Sequence, residues 1–397
     1  GITSLIERLL VADTPLFPVT TVGSWPRSTS LIRALRAKQN GEMSDSEFNR
    51  LADQEVISCI RSQEEAGVDI VTDGEQRRDN FYSYAVDKLT GMQLMKVSDL
   101  LDYANDRARM EEVLRALDVP AFAIKSPIVV GKLGKKEGLS LDELAFMKEH
   151  TDRQVKIPIP GPYMLTRSSW FEGLSDKVYD SAEELSKDVV AILREEVLAL
   201  RDMGCDFIQF DEPILSQTVF GEESTETFMC AALPQRRDPT EELEFAVRLM
   251  NETMEGISGV KTGVHVCRGN WSRKEDVLLV GNYGPMLPHL MQMNIDQLVL
   301  ECATPRAGEM EVFKEYTNEK EIGLGVVNPR TDEIETVEDV VARVRDILQY
   351  FSPDKVYLNP DCGFGTFAER NVNTPEIAEK KLQVMSEAAI TLRAEFG

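Results

Sequence analysis

No stretch of this 397-residue sequence stays apolar long enough to cross a bilayer, so a membrane-spanning helix is not expected. Positive charge is scarce as well, with 44 Lys and Arg against 68 Asp and Glu, a net charge of -24. Such a chain repels phosphate backbones and anionic lipid surfaces, and no local basic cluster offsets this, so nucleic-acid and membrane partners are disfavoured. The six cysteines, Cys59, Cys205, Cys230, Cys267, Cys302 and Cys362, lack the tight pairing of a disulfide scaffold, and a reducing cytoplasm is the expected setting. Gly1 to Leu10 carries charges within its apolar stripe and no small-residue cleavage site, so no signal peptide is expected there. Finally, no GxGxxG follows the first β-rich segment, which argues against a dinucleotide-binding open sheet.

What is present is a 42% hydrophobic content, enough for a large core, and a repeated alternation of strand and helix signals. Eight segments read as strands: Phe17 to Gly23, Val68 to Thr72, Val155 to Ile159, Asp206 to Phe210, Val260 to Val266, Gln297 to Leu300, Ile322 to Val327 and Lys355 to Leu358. Helices are expected from Ser44 to Ala66, ended by Gly67, and from about Ser181 to Met203, each opened by a serine with a glutamate three residues on; another runs from Glu241 to Met254. Between Phe81 and Asp152 the pattern loosens into helical pieces (Leu100 to Leu117) and hairpin-like ones (Ile128 to Leu133). We read that stretch as an insertion after the second strand that can serve as a lid. Eight β-then-α units predict a single (β/α)₈ TIM barrel spanning 1–397.

In such a barrel the loops after the strands share one face, and the polar clusters fall there. His265 and Cys267, two apart on an extended segment, can offer nitrogen and sulfur to one point. Glu301 ends the sixth strand and Cys362 follows the eighth. These four are the candidate ligands of a zinc ion with an exchangeable position. Cys302, next to Glu301, is expected to point the other way along its strand, and Cys59, Cys205, Cys230, His150 and His289 are expected to be structural. Zinc of this kind lowers the pKa of a coordinated thiol and so suits alkylation of a small thiol. Glu75 and Asp211 are the candidate catalytic carboxylates, able to grip an ammonium group, and the turn at Gly23-Ser24 offers N–H groups to a carboxylate; together these describe an α-amino acid.

The motifs TVGSWPRS (Thr21 to Ser28), DGEQRRDN (Asp73 to Asn80), PGPY (Pro160 to Tyr163), QFDEP (Gln209 to Pro213), HVCRGN (His265 to Asn270), LVLECAT (Leu298 to Thr304) and NPDCGFGT (Asn359 to Thr366) resemble, in order and spacing, the catalytic barrel of the cobalamin-independent methionine synthase family. The resemblance implies a zinc-dependent methyltransferase making methionine from homocysteine. Zinc would sit on His265, Cys267, Glu301 and Cys362, the backbone of Val22 and Ser24 would meet the homocysteine carboxylate, and Glu75 and Asp211 its amino group. With room for one barrel, the chain resembles the short "core" members. Gln217 stands where the family carries a folate-binding glutamate, and Val327 about where it carries a proton-donating histidine. Both departures set a methyl-folate donor against methylcobalamin or a corrinoid protein. A related branch, the epoxyalkane:coenzyme M transferases, uses a similar zinc thiolate, and Arg27, Arg77, Arg78 and Arg306 keep coenzyme M open as the alternative thiol. A non-catalytic zinc-binding barrel is the remaining alternative.

Overall fold

The computed structural model describes residues 14–80, 82–104, 106–116, 125–224, 237–268, 280–305, 308–317, 319–365 and 371–397. Gly1 to Leu10, Phe81, Leu117, Cys230, Gly269, Asn270, Arg306 and Thr366, all named above, lie outside those ranges.

Seven strands form one parallel sheet: β1 (Ile70–Val71), β4 (Gln154–Pro160), β5 (Phe207–Asp211), β6 (Lys261–Val266), β7 (Gln297–Leu300), β8 (Glu321–Val327) and β9 (Val356–Pro360), in that spatial order. Between β1 and β4 in the chain, β2 (Leu89–Lys96) and β3 (Lys125–Lys135) pair with each other as an antiparallel hairpin. The segment expected as the first strand makes two isolated parallel bridges, Val19 to Leu358 on β9 and Thr20 to Ile70 on β1. The Thr20 N–H donates to Leu358 O and the Ile70 N–H to Val19 O, at 2.9 and 3.1 Å. This segment therefore lies between the first and the last strand of the sheet.

The strands are Val-, Ile- and Leu-rich because both faces are covered, as parallel strands require. Ile208 and Phe210 on β5 pack outward into the main core, where they meet residues of the surrounding helices such as Leu193 and Leu249. Alternate residues turn the other way. Val22, Ile70, Phe207, Val299 and Tyr357, from the N-terminal segment and from β1, β5, β7 and β9, form a separate small cluster. Side chains from elements this far apart along the sheet can meet only if the sheet is curled around them.

The outer helices begin where the sequence signals them. Ser44 accepts from the Glu47 N–H ahead of Asp45–Glu65, and Ser181 from the Glu184 N–H ahead of Ala182–Asp202. Asp238, Thr336 and Thr374 cap Pro239–Met254, Val337–Ile347 and Pro375–Phe396 in the same way. Each side-chain oxygen meets an amide that the first turn leaves without an intrahelical partner. Gly67, at φ 89°, ends the first of these helices as expected.

Several boundaries differ from expectation. Asp211, Pro160 and Pro360 are the last residues of their strands rather than loop positions, so the polar ends are held in register: Pro160 pairs with Asp211, and Asp211 with His265. Ile128 to Leu133 is the middle of β3, and the helical stretch is split into Val97–Leu100, a short 3₁₀ turn and Arg107–Ala116. Leu141–His150 is a regular helix leading directly into β4. Cations remote in sequence also gather on the surface, as Arg36, Lys96 and Lys125 line a cleft of about 500 Å³ with Asp99. No helix among the described residues is long and apolar enough to cross a membrane.

Candidate metal centre

His265 is the second-last residue of β6 and Cys267 follows that strand's end, while Val264 and Val266 between and beside them pack into the main core. The alternation thus aims imidazole and thiol to the other side. Cys362, two residues beyond the end of β9, brings a third donor from the far end of the sheet. The ligand atoms of His265, Cys267 and Cys362 all lie within 4.8 Å of one another. His265 Nδ1 is 3.1 Å from Val299 O, which fixes the proton on that nitrogen and turns the Nε2 lone pair inward. Nε2 is buried and has no hydrogen-bond partner.

The three groups shift one another's titration. A hydrogen bond from Cys362, helped by His265, holds the Cys267 thiol well below its usual range against the effect of burial. Donating that bond, together with burial, pushes Cys362 well up. Burial pulls the His265 imidazole down, but the neighbouring Cys267 thiol and the charges of Cys267 and Asp211 outweigh burial, and the net shift is upward. Zinc suits this set. Two sulfurs and an imidazole with an open lone pair are its usual donors, and Zn–S and Zn–N bonds of ~2.3 and ~2.1 Å need donors only ~3.5 to 3.8 Å apart.

Glu301 stands differently from the other three. Its carboxylate is fully buried, Oε2 accepts the Arg268 N–H at 2.9 Å, and it is not part of the three-residue group. Cys302 lies in the main core with its thiol pushed up by burial, turned away as strand alternation expects. Cys59 and Cys205 are buried with their thiols likewise pushed up, and the His150 ring packs on Phe146 at 4.3 Å.

Beside the donors lie the two carboxylates. Glu75 sits at φ 54°, held by the Arg27 guanidinium on its carbonyl (2.9 Å) and by Asp73 Oδ1 on its N–H (2.9 Å). A Cβ at Gly23 would overlap Glu75 Oε2, so the glycine is what lets that carboxylate lie against the 22–24 segment. Burial raises the Glu75 carboxyl, opposed by Arg78 and Arg27. Burial likewise drives Asp211 up to about 7, with His265 opposing and the Glu75 charge adding to the rise. Ser24 O accepts the Phe364 N–H (2.9 Å) and Ser24 Oγ the Gly365 N–H (3.2 Å), so the first loop is laid against the loop that carries Cys362.

A family model described as the cobalamin-independent synthase catalytic domain matches residues 17–391. The chain belongs to that family. It is 28% identical over 382 residues to a methionine synthase of Sulfolobus acidocaldarius, covering 96% of this chain and 94% of that protein. It is also 28% identical over 386 residues to a methionine synthase of Thermococcus kodakarensis, covering 97% and 96% respectively. Among solved structures, a B12-independent methionine synthase from Shewanella sp. W3-18-1 in complex with selenomethionine superposes with a TM-score of 0.71 at 24% identity, over 96% of this chain and 98% of that one, and so shares the fold.

Within this family member, Val327 is fully buried at the end of β8 and Gln217 lies on the helix Ile214–Ser224. Neither offers a group that titrates. Of the arginines, Arg77 pairs with Asp53 at 2.6 Å, and Arg78 is taken up chiefly by Glu143, Ser140 and Pro158 O, with Glu75 3.9 Å away. Four residues whose partners the sequence did not disclose are Lys156, Gln209 and the buried pair Arg78 and Glu143. A lysine between Val155 and Ile157, in a strand covered on both faces, was the available signal, since buried lysines almost never lack a partner.

Proposed function

We propose that this chain is a zinc-dependent S-methyltransferase that forms methionine from homocysteine, built on a closed (β/α)₈ barrel in which residues 17–23 serve as the eighth stave. The observation that carries the reading is the convergence of His265 and Cys267, from the central strand β6, with Cys362, from beyond the last strand β9, beside two buried carboxylates. Membership of the cobalamin-independent synthase family supports the same chemistry. Glu301 is the candidate fourth ligand, able to exchange between the cation and the Arg268 amide, and the β2–β3 hairpin region is the candidate lid.

Zinc held there would lower the pKa of an incoming thiol and keep it reactive as a thiolate at neutral pH. The chain's own residues do the rest. Glu75 and ionised Asp211 grip the substrate ammonium, the 22–24 backbone meets its carboxylate, and the largely buried surroundings keep water from competing. The sulfur lone pair attacks the donor methyl, and the bonding pair leaves with the donor. Apolar Val327 supplies no proton to a leaving group. That favours methylcobalamin or a corrinoid protein over a methyl-folate, since cobalt departs with its electron pair and without protonation. The carboxylates also disfavour coenzyme M, whose sulfonate Glu75 and Asp211 would repel.

The test is methionine formation by purified protein given homocysteine and, separately, methylcobalamin and a methyl-folate, before and after chelation. Turnover only with zinc and homocysteine is expected. Activity untouched by chelation, or with coenzyme M alone, would overturn the reading.

A further inference from the structure

Lys156 is the one cation in the inner layer of β4, and the chemistry described so far does not use it. Its side chain is fully buried, with Nζ 3.0 Å from Thr21 O and 4.7 Å from the centre of the Phe207 ring. Burial pulls its amine down to about 7, and the charge of Asp211 works against that. A buried amine with one hydrogen-bond partner, a backbone carbonyl, is a costly device, since it carries a desolvation cost that an apolar side chain of similar size would not. Its position says what it holds. Thr21 is the residue before the Val22-Gly23-Ser24 turn, and the next carbonyl, Val22 O, is held by Gln209 Nε2 at 2.9 Å. Gln209 Nε2 also donates to Asp211 Oδ1 at 2.9 Å. Two inward side chains of β4 and β5 thus take consecutive carbonyls of one segment, and one of them reaches the ammonium-binding carboxylate as well.

Holding the carbonyls has a consequence for the amides. When the carbonyls of residues 21 and 22 are drawn down into the curled sheet, the peptide planes that follow are fixed, and the N–H groups of the turn can be presented upward to an anion without reorganising. We propose that Lys156 is a positioning residue for the carboxylate half of the amino-acid substrate, and that Gln209 couples this half to the ammonium half through Asp211. The proposal rests on the homocysteine reading above and deepens it, as it divides recognition of one small molecule between two supports.

The division gives the test. Three thiols are compared by calorimetric affinity on the full-length protein: homocysteine, 3-aminopropane-1-thiol, which lacks the carboxylate, and 4-mercaptobutanoate, which lacks the amine. For Lys156→Met, affinity for homocysteine and 4-mercaptobutanoate should fall about tenfold, the loss of one charge-assisted contact's worth of organisation, while 3-aminopropane-1-thiol binds as before. KM for homocysteine should rise by the same factor with kcat and metal content unchanged. Gln209→Met should weaken all three thiols, since it releases both halves. A Lys156→Met protein that loses affinity for all three alike, or for none, overturns the inference. Should that variant not melt cooperatively, Lys156→Gln, which retains a donor, is read by the same ratio, with a partial fall expected and no fall decisive against. If the wild-type protein itself does not prefer homocysteine over either truncated thiol, the functional reading fails first, and the two failures are distinguished.

Discussion

The two ends of the curled sheet hold charge differently: where strands begin, the charged groups are exposed or half-buried, and where strands finish they are buried. At the end where strands begin, ionic groups are satisfied by protein: Lys261 Nζ meets both Glu321 oxygens (2.9 and 2.7 Å) and Tyr357 Oη (2.9 Å). Arg393 bonds Asp69 and Leu16 O, Asp206 and Asp296 accept the Val155 and Thr262 amides, and Lys320 bonds two carbonyls. At the end where strands finish, His265 Nε2, Glu75 Oε1, Asp73 Oδ2 and Gln209 Oε1 are buried without a hydrogen-bond partner. Native proteins rarely leave such groups unsatisfied; Gln297 Oε1 at the start of β7 is one uncharged case, but the ionisable ones named here gather where strands finish, the end suited to a ligand. Charge at one end is paired within the fold, and charge at the other fits the proposed substrate and metal.

The largest effect expected from this contrast is at the donors. Cys362→Ala should reduce bound zinc from one equivalent to near none and methionine formation by about a thousandfold or more, read by elemental analysis and product assay. The metal-free variant should melt no lower than the metal-free parent, because a thiol whose proton is forced by a neighbour contributes little to the fold. Retained zinc with retained turnover would dissolve the distinction between the two ends. Next comes Gly23→Ala. The added methyl would overlap Glu75 Oε2 and push that carboxylate from the 22–24 segment, so KM for homocysteine should rise about ten- to a hundredfold, the worth of a charged hydrogen bond, with metal content intact.

Asp211→Asn is expected to separate function from stability. Burial raises the Asp211 carboxyl from 3.8 to about 7, so between those values the folded state holds a proton that the unfolded state has lost. Its contribution is fully present below the unfolded pKa and is lost as pH rises through the folded one. At pH 8, in the absence of thiol and metal, the asparagine variant should therefore melt about 2–4 °C higher than the parent while binding homocysteine about tenfold more weakly. In the parent, homocysteine affinity should weaken as pH falls below about 7, where Asp211 takes up its proton. A variant that melts lower at pH 8 would mean Asp211 belongs with the satisfied charges.

How much of this was legible in the sequence depended on range. Alternation of strand and helix, the serine caps at 44 and 181 and the HxC spacing are local signals, and each has its structural counterpart. His265 and Cys362 could be grouped because strand ends were read as sharing a face, and the family resemblance pointed the same way. Pairings between residues remote in the chain left no such mark. The β2–β3 hairpin joins segments some thirty residues apart, with Leu89 opposite Lys135, and neither strand alternates cleanly enough to announce its partner. Lys156 reads as a break in an apolar strand until Thr21 is placed beneath it, and Arg78 reads as part of a charged loop until Glu143 arrives from a helix 65 residues on. Glu301 was read as a ligand from its strand-end position, but position does not disclose that the Arg268 amide competes for the same oxygen.

The smallest effect tests the satisfied end. Lys261 and Glu321 pair across β6 and β8, their side chains 35% and 13% exposed, so water screens the pair partly and its net worth is modest. Lys261→Met keeps the stem that packs beside Tyr357 but leaves Glu321 and the tyrosine hydroxyl short of a donor. A loss of about 1 kcal/mol, seen as a small drop in denaturant midpoint with unchanged slope, is expected. Zinc content, KM for homocysteine and kcat should not move, because nothing at that end touches the substrate and the intervening inner layer of Phe207 and Val299 is packed tightly enough to hold its place. A change in KM without a change in midpoint would show that the two ends are coupled through the curled interior, and Lys156, lying between them, would be the first residue to examine for that coupling.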